Sequence, residues 1–246
     1  MDPMVAGGGP QVLSARYRRV SFLVGLGMLR PAMTLNDVTL LHQDAQLLVA
    51  DKPAGLLSVP GRGPANADCL ASRVQARWPE ALVVHRLDMG TSGLMAFARS
   101  PDVQRALHRA FAQRLVHKRY EAVVAGLPQA DGGQIDLPLI VDWPNRPRQM
   151  VCHERGKPSQ TLWQVLSRDE AAGTSRLSLT PITGRSHQLR VHLAAIGHAI
   201  LGDELYAPPA WHAAAPRLLL HACDLTLPAQ PDGLPAPLAC HSPPPF

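Results

Sequence analysis

The four cysteines of this 246-residue chain, Cys69, Cys152, Cys223 and Cys240, form no CxxC or CxH pair. That argues against a disulfide framework and a structural zinc site, and it fits a reducing cytoplasm. Charged residues make up only 17% of the sequence against 46% hydrophobic, which is the balance of a globular chain rather than a disordered one. No long hydrophobic run spans a bilayer: VSFLVGLGML, at 20–29, is too short. It follows Arg16, Arg18 and Arg19 but lacks an A-x-A cleavage site and runs straight into Arg30 and Pro31. Residues 1–36 are therefore read as a disordered extension upstream of a start at Met28 or Met33. There is no internal repeat.

Several catalytic classes fall away on spacing. HRLD (85–88) has no glycine-rich phosphate loop, DFG or correctly placed Asn to make it a kinase loop. His187 and His192 miss the HExxH spacing of a zinc helix. The H-x-E and P-C-x-x-C pair of the nucleobase deaminases is absent. No metal, dinucleotide cofactor or thiol nucleophile is indicated.

What is present is basic. Lys and Arg number 24 against 19 acids, giving a formal charge of +5, a bias toward polyanions whose counterions cationic side chains displace. The length suits one domain. VTLLHQDAQLLVADKP (38–53) reads as two strands around a turn, and KRYEAVVAG (118–126), QTLWQVLS (160–167), RLSLTPI (176–182) and RLLLHACDLTL (217–227) read as strands. Leu70, Val74 and Trp78 recur at helical spacing after a candidate cap, Asp68. Ser100 and Pro101 open a helix whose apolar face is Val103, Leu107, Ala110 and Phe111. Leu189, Leu193 and Ile196 predict a third helix ending at Gly197. Strands outnumber helices without alternating regularly, so the expected class is α+β with a mixed, mostly antiparallel sheet. Residues 37–230 form the expected catalytic domain and 231–246 a proline-rich tail.

Three stretches hold candidate chemistry. In HRLDMGTSG, Asp88 precedes a glycine turn, where aspartate most often serves the backbone. In HKRYEAVV, Tyr120 sits on a strand, where an aromatic is most often core. In GRSHQLRVH, Arg185, His187, Arg190 and His192 crowd a helix start, an arrangement that suits an anion, although solvated basic faces are commoner.

Taken together, HRLDMGTSGL, KRYEAVVAG, PITGRSHQLRVHLAAIGHAILGD and RLLLHA closely resemble, in order and spacing, the RluA family of pseudouridine synthases. The resemblance runs from about Leu40 to about Leu227. DKPAGLLSVPGR (51–62) and DWPNRPRQMVCHERGKPSQT (142–161) further resemble its short members, which modify a 23S ribosomal RNA uridine and an anticodon-loop uridine of tRNAs. GPANAD (63–68) and both termini depart from the pattern. The resemblance implies the pseudouridine synthase fold, no cofactor, RNA as partner and a monomer needing no protein partner. It implies that Asp88 is the essential carboxylate, Arg190 its ion-pair partner and Tyr120 the acceptor of the C5 proton, its phenol eased by nearby cations. Arg86 is implied to fill the gap left by the flipped uridine, with His85, Thr91, Arg185, His187, Lys52 and Arg146 contacting RNA. Thr91, Ser92 and Gly93 would shape the turn, and Ile182 or Leu189 would line the base pocket. The rival readings are an RNA-folding protein on the same scaffold, catalysis dispensable, and a glycosidase releasing free uracil.

Overall fold

A computed structural model describes residues 33–35, 38–229 and 236–246. Expectations for residues 1–32 lie outside the described residues. Strands β1 (Met33–Leu35) and β2 (Val38–Gln43) pair antiparallel, so the sheet already begins inside the segment read as an extension. The chain returns as β3 (Leu47–Lys52) through a turn in which the Asp44 carboxylate accepts the backbone N–H groups of Gln46 and Leu47 at 2.7 Å each.

Helix α1 (Leu70–Gln75) is capped by Cys69 rather than Asp68. The Cys69 Sγ accepts from Ser72 N–H at 3.3 Å, and Ser72 Oγ accepts from Cys69 N–H at 3.1 Å. Asp68 instead binds Arg73 at 2.7 Å. After β4 (Leu82–Val83) and β5 (Ser92–Ala98) comes α2 (Pro101–Ala112), opened as expected by Ser100, whose Oγ accepts from Val103 N–H at 3.3 Å. Then follow β6 (His117–Ala125), β7 (Gly132–Asp136) and the small hairpin of β8 (Leu139–Val141) with β9 (Gln149–Val151). Strands β10 (Gln160–Asp169) and β11 (Thr174–Pro181) lead to α3 (Gln188–Ala195), α4 (Pro209–Ala213), β12 (Leu220–Leu227) and β13 (Leu238–His241).

The main sheet runs β1-β2-β3-β5-β12-β6-β11-β10-β7, with β4 beside β5 and β13 beside β12. Among the described pairs only β5–β12 is parallel, so the sheet is mixed and mostly antiparallel. This parallel contact is short, at Ser92↔His221 and Gly93↔Ala222. Gly93 has φ +112, and a Cβ there would sit 2.3 Å from the Ala222 carbonyl oxygen, so only glycine fits. Ala222 also pairs with Tyr120 across the other edge of β12, so one junction carries both the segment after Asp88 and the strand bearing Tyr120.

Helix α1 packs Leu70 and Val74 against Leu48, Ala50, Met95 and Phe97, and α2 packs Val103 and Leu107 against Leu47, Val49, Leu94 and Ala96. Helix α3 packs Leu189 and Leu193 against Val124, Leu177 and Leu179. Each such leucine contributes about 1.5–3 kcal/mol of apolar burial. Because β5 pairs with only two residues of β12, the rest of that edge is left open, and β13 fills it. The expected tail is thus structured at its end: Ser242 is buried and its N–H donates to the Cys223 carbonyl at 2.8 Å.

Candidate active site

Asp88 lies in the loop between β4 and β5, and both of its flanks are tied down from the segment after β3. Ser58 Oγ donates to the Leu87 carbonyl at 2.6 Å and accepts from Leu87 N–H at 3.0 Å. On the other flank the Met89 carbonyl accepts from Gly55 N–H at 2.8 Å and from Lys52 Nζ at 3.0 Å. Thr91 N–H donates back to the Asp88 carbonyl at 3.1 Å. Lys52, expected to meet RNA, is fully buried; its ammonium also donates to the carbonyls of Pro53 and Leu56, at 2.9 and 2.7 Å. Burial pulls it down to about 8, opposed by the charge of Asp88. Its work is to hold the Asp88 loop, because three carbonyl partners satisfy all three N–H donors.

Helix α3 supplies the cationic side. Arg190 Nη1 stands 3.7 Å from Asp88 Oδ2, an ion pair without a hydrogen bond. The rest of its guanidinium is held by Asp203, through Nε at 2.8 Å and Nη2 at 2.6 Å. This bidentate pair is buried, Arg190 at 6% and Asp203 at 1% exposure, and it aims the remaining nitrogen at Asp88. Neighbouring carboxylates outweigh burial and hold Arg190 above the usual arginine range. His187, at φ 53 just before α3, places Nε2 3.9 Å from Asp88 Oδ2 and bonds Nδ1 to the Tyr206 hydroxyl at 2.7 Å. That hydroxyl accepts from Gln149 N–H at 2.8 Å. Burial outweighs the pull of Asp88 and lowers His187. Gln188 ties the turn before the helix, accepting from Thr183 Oγ1 at 2.7 Å and Arg185 N–H at 3.0 Å.

These elements enclose a cavity of about 310 Å³ in which Asp88 is the one acidic lining residue among those described. Arg86, His85, Thr91, Tyr120, Arg185, His187, Leu189 and Arg190 line it. His85 is no cation: its Nε2 accepts from Ala96 N–H at 3.0 Å, its ring stacks on Phe111 at 4.9 Å, and burial with the Lys118 charge lowers it to about 3. Thr91 is buried and shapes the turn. Tyr120 is pushed well up, by burial first and then by the charge of Asp88, so the phenol is not eased by cations. Ile182 lines an adjoining cavity of about 350 Å³ instead of this one. Arg146 is exposed and lines a second cavity, of about 690 Å³, which shares Asp88, Arg86 and His187 with the first.

Three contributors escaped the sequence reading. Asp203 and Tyr206 lie in LGDELY; the resemblance covered the Gly-Asp pair, but no spacing links position 203 to Arg190. Lys118 faces the cavity two residues from Tyr120 on β6, and its side chain makes no hydrogen bond or ion pair among the described residues. Its ammonium stands 5.8 Å over the Phe111 ring, and burial lowers it.

A carboxylate fixed beside an arginine, with no second acid among the described residues lining the cavity, is the equipment of a transfer within one substrate rather than of glycoside cleavage by water. Residues 46–195 match the family model described as RNA pseudouridylate synthase. The chain is 54% identical to the dual-specificity RNA pseudouridine synthase RluA of Vibrio vulnificus, with 76% of each chain covered. It is 52% identical to that of Escherichia coli K12, over 77% of this chain and 86% of the relative. Among solved structures, human RNA pseudouridylate synthase domain containing 1 superposes with a TM-score of 0.73 at 27% identity, covering 87% of this chain and 86% of that one. The chain belongs to the RNA pseudouridylate synthase family and, within it, to the RluA family. It is an RNA pseudouridine synthase, an isomerase acting on RNA.

Proposed function

We propose that the enzyme isomerises unpaired uridines in two RNA classes, the anticodon stem-loop of certain tRNAs and 23S ribosomal RNA. The dual-specificity names of its relatives and the two cation-lined cavities meeting at Asp88 support this reading. The observation that carries the site assignment is the lone carboxylate 3.7 Å from an arginine whose other nitrogens are locked on Asp203.

The reaction breaks the N1–C1′ bond, turns the uracil, joins C5 to C1′, releases the C5 proton to solvent and leaves N1 carrying a proton taken up in exchange. Atoms and electrons balance without water or a cofactor. Asp88 starts it, by attack at C1′ or by abstraction of a sugar proton. Arg190 holds the carboxylate in place and disperses its charge. Arg86, exposed at the rim of both cavities, occupies the gap left by the extruded base. Tyr120 starts the cycle protonated because burial, and after it the charge of Asp88, pushes the phenol up. It takes the C5 proton only as it hands its own proton on.

Carbodiimide mapping of pseudouridine in RNA from cells with and without the gene tests the reading. Loss of an anticodon-loop site and a 23S site together is the expected result. Loss in one RNA class alone removes the dual specificity, and loss in neither overturns the proposal.

A further inference from the structure

The β8–β9 hairpin takes no part in the chemistry above, yet it carries the most exposed large apolar residue among those described. Trp143 is 65% exposed, with Met150 at 40% on the same hairpin. The exposure does not come from a loose loop. Asp142 N–H donates to the Arg148 carbonyl at 2.9 Å, Arg148 N–H to Asn145 at 3.0 Å and Asn145 N–H to Asp142 at 3.1 Å. The Asn145 amide also donates to the Asp142 carboxylate at 2.9 Å. Arg146 lies across the indole at 3.9 Å and donates from Nε to the Trp143 carbonyl at 3.2 Å. The indole is thus held out by its own turn and backed by a guanidinium.

The pair is continuous with the active site. Arg146 and Pro147 line the 690 Å³ cavity together with Arg62, Arg86, Asp88 and His187. At the base of the hairpin, Gln149 N–H donates to Tyr206, which holds His187. A flat π surface beside several arginines fits one kind of occupant, an unpaired base on an anionic backbone. Bases stack on indole rings and guanidinium planes alike, and arginine neutralises the attached phosphates.

We propose that Trp143, backed by Arg146, is a stacking site for an unpaired nucleobase of the substrate RNA next to the target uridine, setting which loops the enzyme accepts. The inference rests on the RNA reading above and adds a contact to it.

The test compares wild type, Trp143→Phe and Trp143→Ala on an anticodon stem-loop and a 23S fragment, both labelled with tritium at uridine C5. Wild-type tritium release tests the activity itself, independently of the differences between variants. Stacking of one base predicts that Trp143→Ala raises KM roughly tenfold while kcat stays within about twofold, and that Trp143→Phe keeps most of the affinity. RNA binding should quench tryptophan emission in the wild type, and that part of the quench should vanish in both variants. Replacing the flanking loop nucleotides by abasic ones should erase the penalty of Trp143→Ala. An unchanged KM in Trp143→Ala, or a penalty that persists on abasic RNA, overturns the proposal. So does a fall in kcat with KM unchanged, which would mark the hairpin as a support for His187 only.

Discussion

The two walls of the catalytic cavity are built on opposite plans. On the α3 side the main polar groups are engaged before RNA arrives: Arg190 on Asp203, His187 on Tyr206, and Gln188 on Thr183 and Arg185. On the β6 side the Lys118 and Tyr120 side chains face the same space without a side-chain hydrogen bond to any described residue. A buried cation bound to a buried anion fixes geometry, whereas a half-buried ammonium with only a ring beside it is open to a substrate partner. The α3 wall therefore sets where Asp88 points, and the β6 wall is completed by the uridine and its phosphates.

The largest effect should come from the engaged wall. Asp203→Ala leaves the Arg190 guanidinium without its bidentate partner and should cost about 3–5 kcal/mol of stability by urea unfolding, with loss of turnover. A folded, active Asp203→Ala protein of normal stability would break the contrast. On the open wall, Tyr120→Phe should keep stability but lower kcat by about 10² to 10⁴. It should also reveal an isotope effect with deuterium at uridine C5, absent from the wild type; turnover within a few-fold of normal would withdraw the role.

His85 gives a smaller, pH-dependent signature. Its ring is lowered to about 3 in the fold, against about 6.5 in the unfolded chain. As pH falls below about 6.5 the unfolded chain gains a proton that the folded one refuses, so stability falls by up to about 1.4 kcal/mol per pH unit. Urea melts between pH 7 and 4.5 should show a shallower decline in His85→Gln, and equal slopes would contradict the assignment. Smallest is Lys118→Met, which should leave stability unchanged or slightly raised while weakening RNA binding and reducing its salt dependence by about one phosphate contact. A destabilised Lys118→Met would mean that the open wall has a partner after all.

Asp88, Tyr120 and Arg190 could be singled out as candidates because each sits in a short, dense motif, and α2 was legible because Ser100 and Pro101 mark its start locally. Lys52 was misread because a lysine between Asp51 and Pro53 looks solvated, while the carbonyl that matters most to the site, Met89, lies 37 residues away. Asp203 and Tyr206 acquire meaning only when α3 folds back over the chain beyond it. The end of the proline-rich stretch joins the sheet for a reason invisible locally, the short parallel contact that leaves an edge of β12 open. Cys69 took the cap from Asp68 because its neighbour Ser72 answers it in both directions.

Asp88 is the group the chemistry depends on, and Asp88→Asn tests its role most directly, since asparagine keeps the shape and removes the charge that Arg190 faces. Single-turnover tritium release from 5-tritiated stem-loop RNA, measured beside binding of the same RNA and thermal unfolding, separates chemistry from packing. Intact folding and binding with the rate down by about 10⁴ or more is the predicted result. Pseudouridine formation at a near wild-type rate would contradict it.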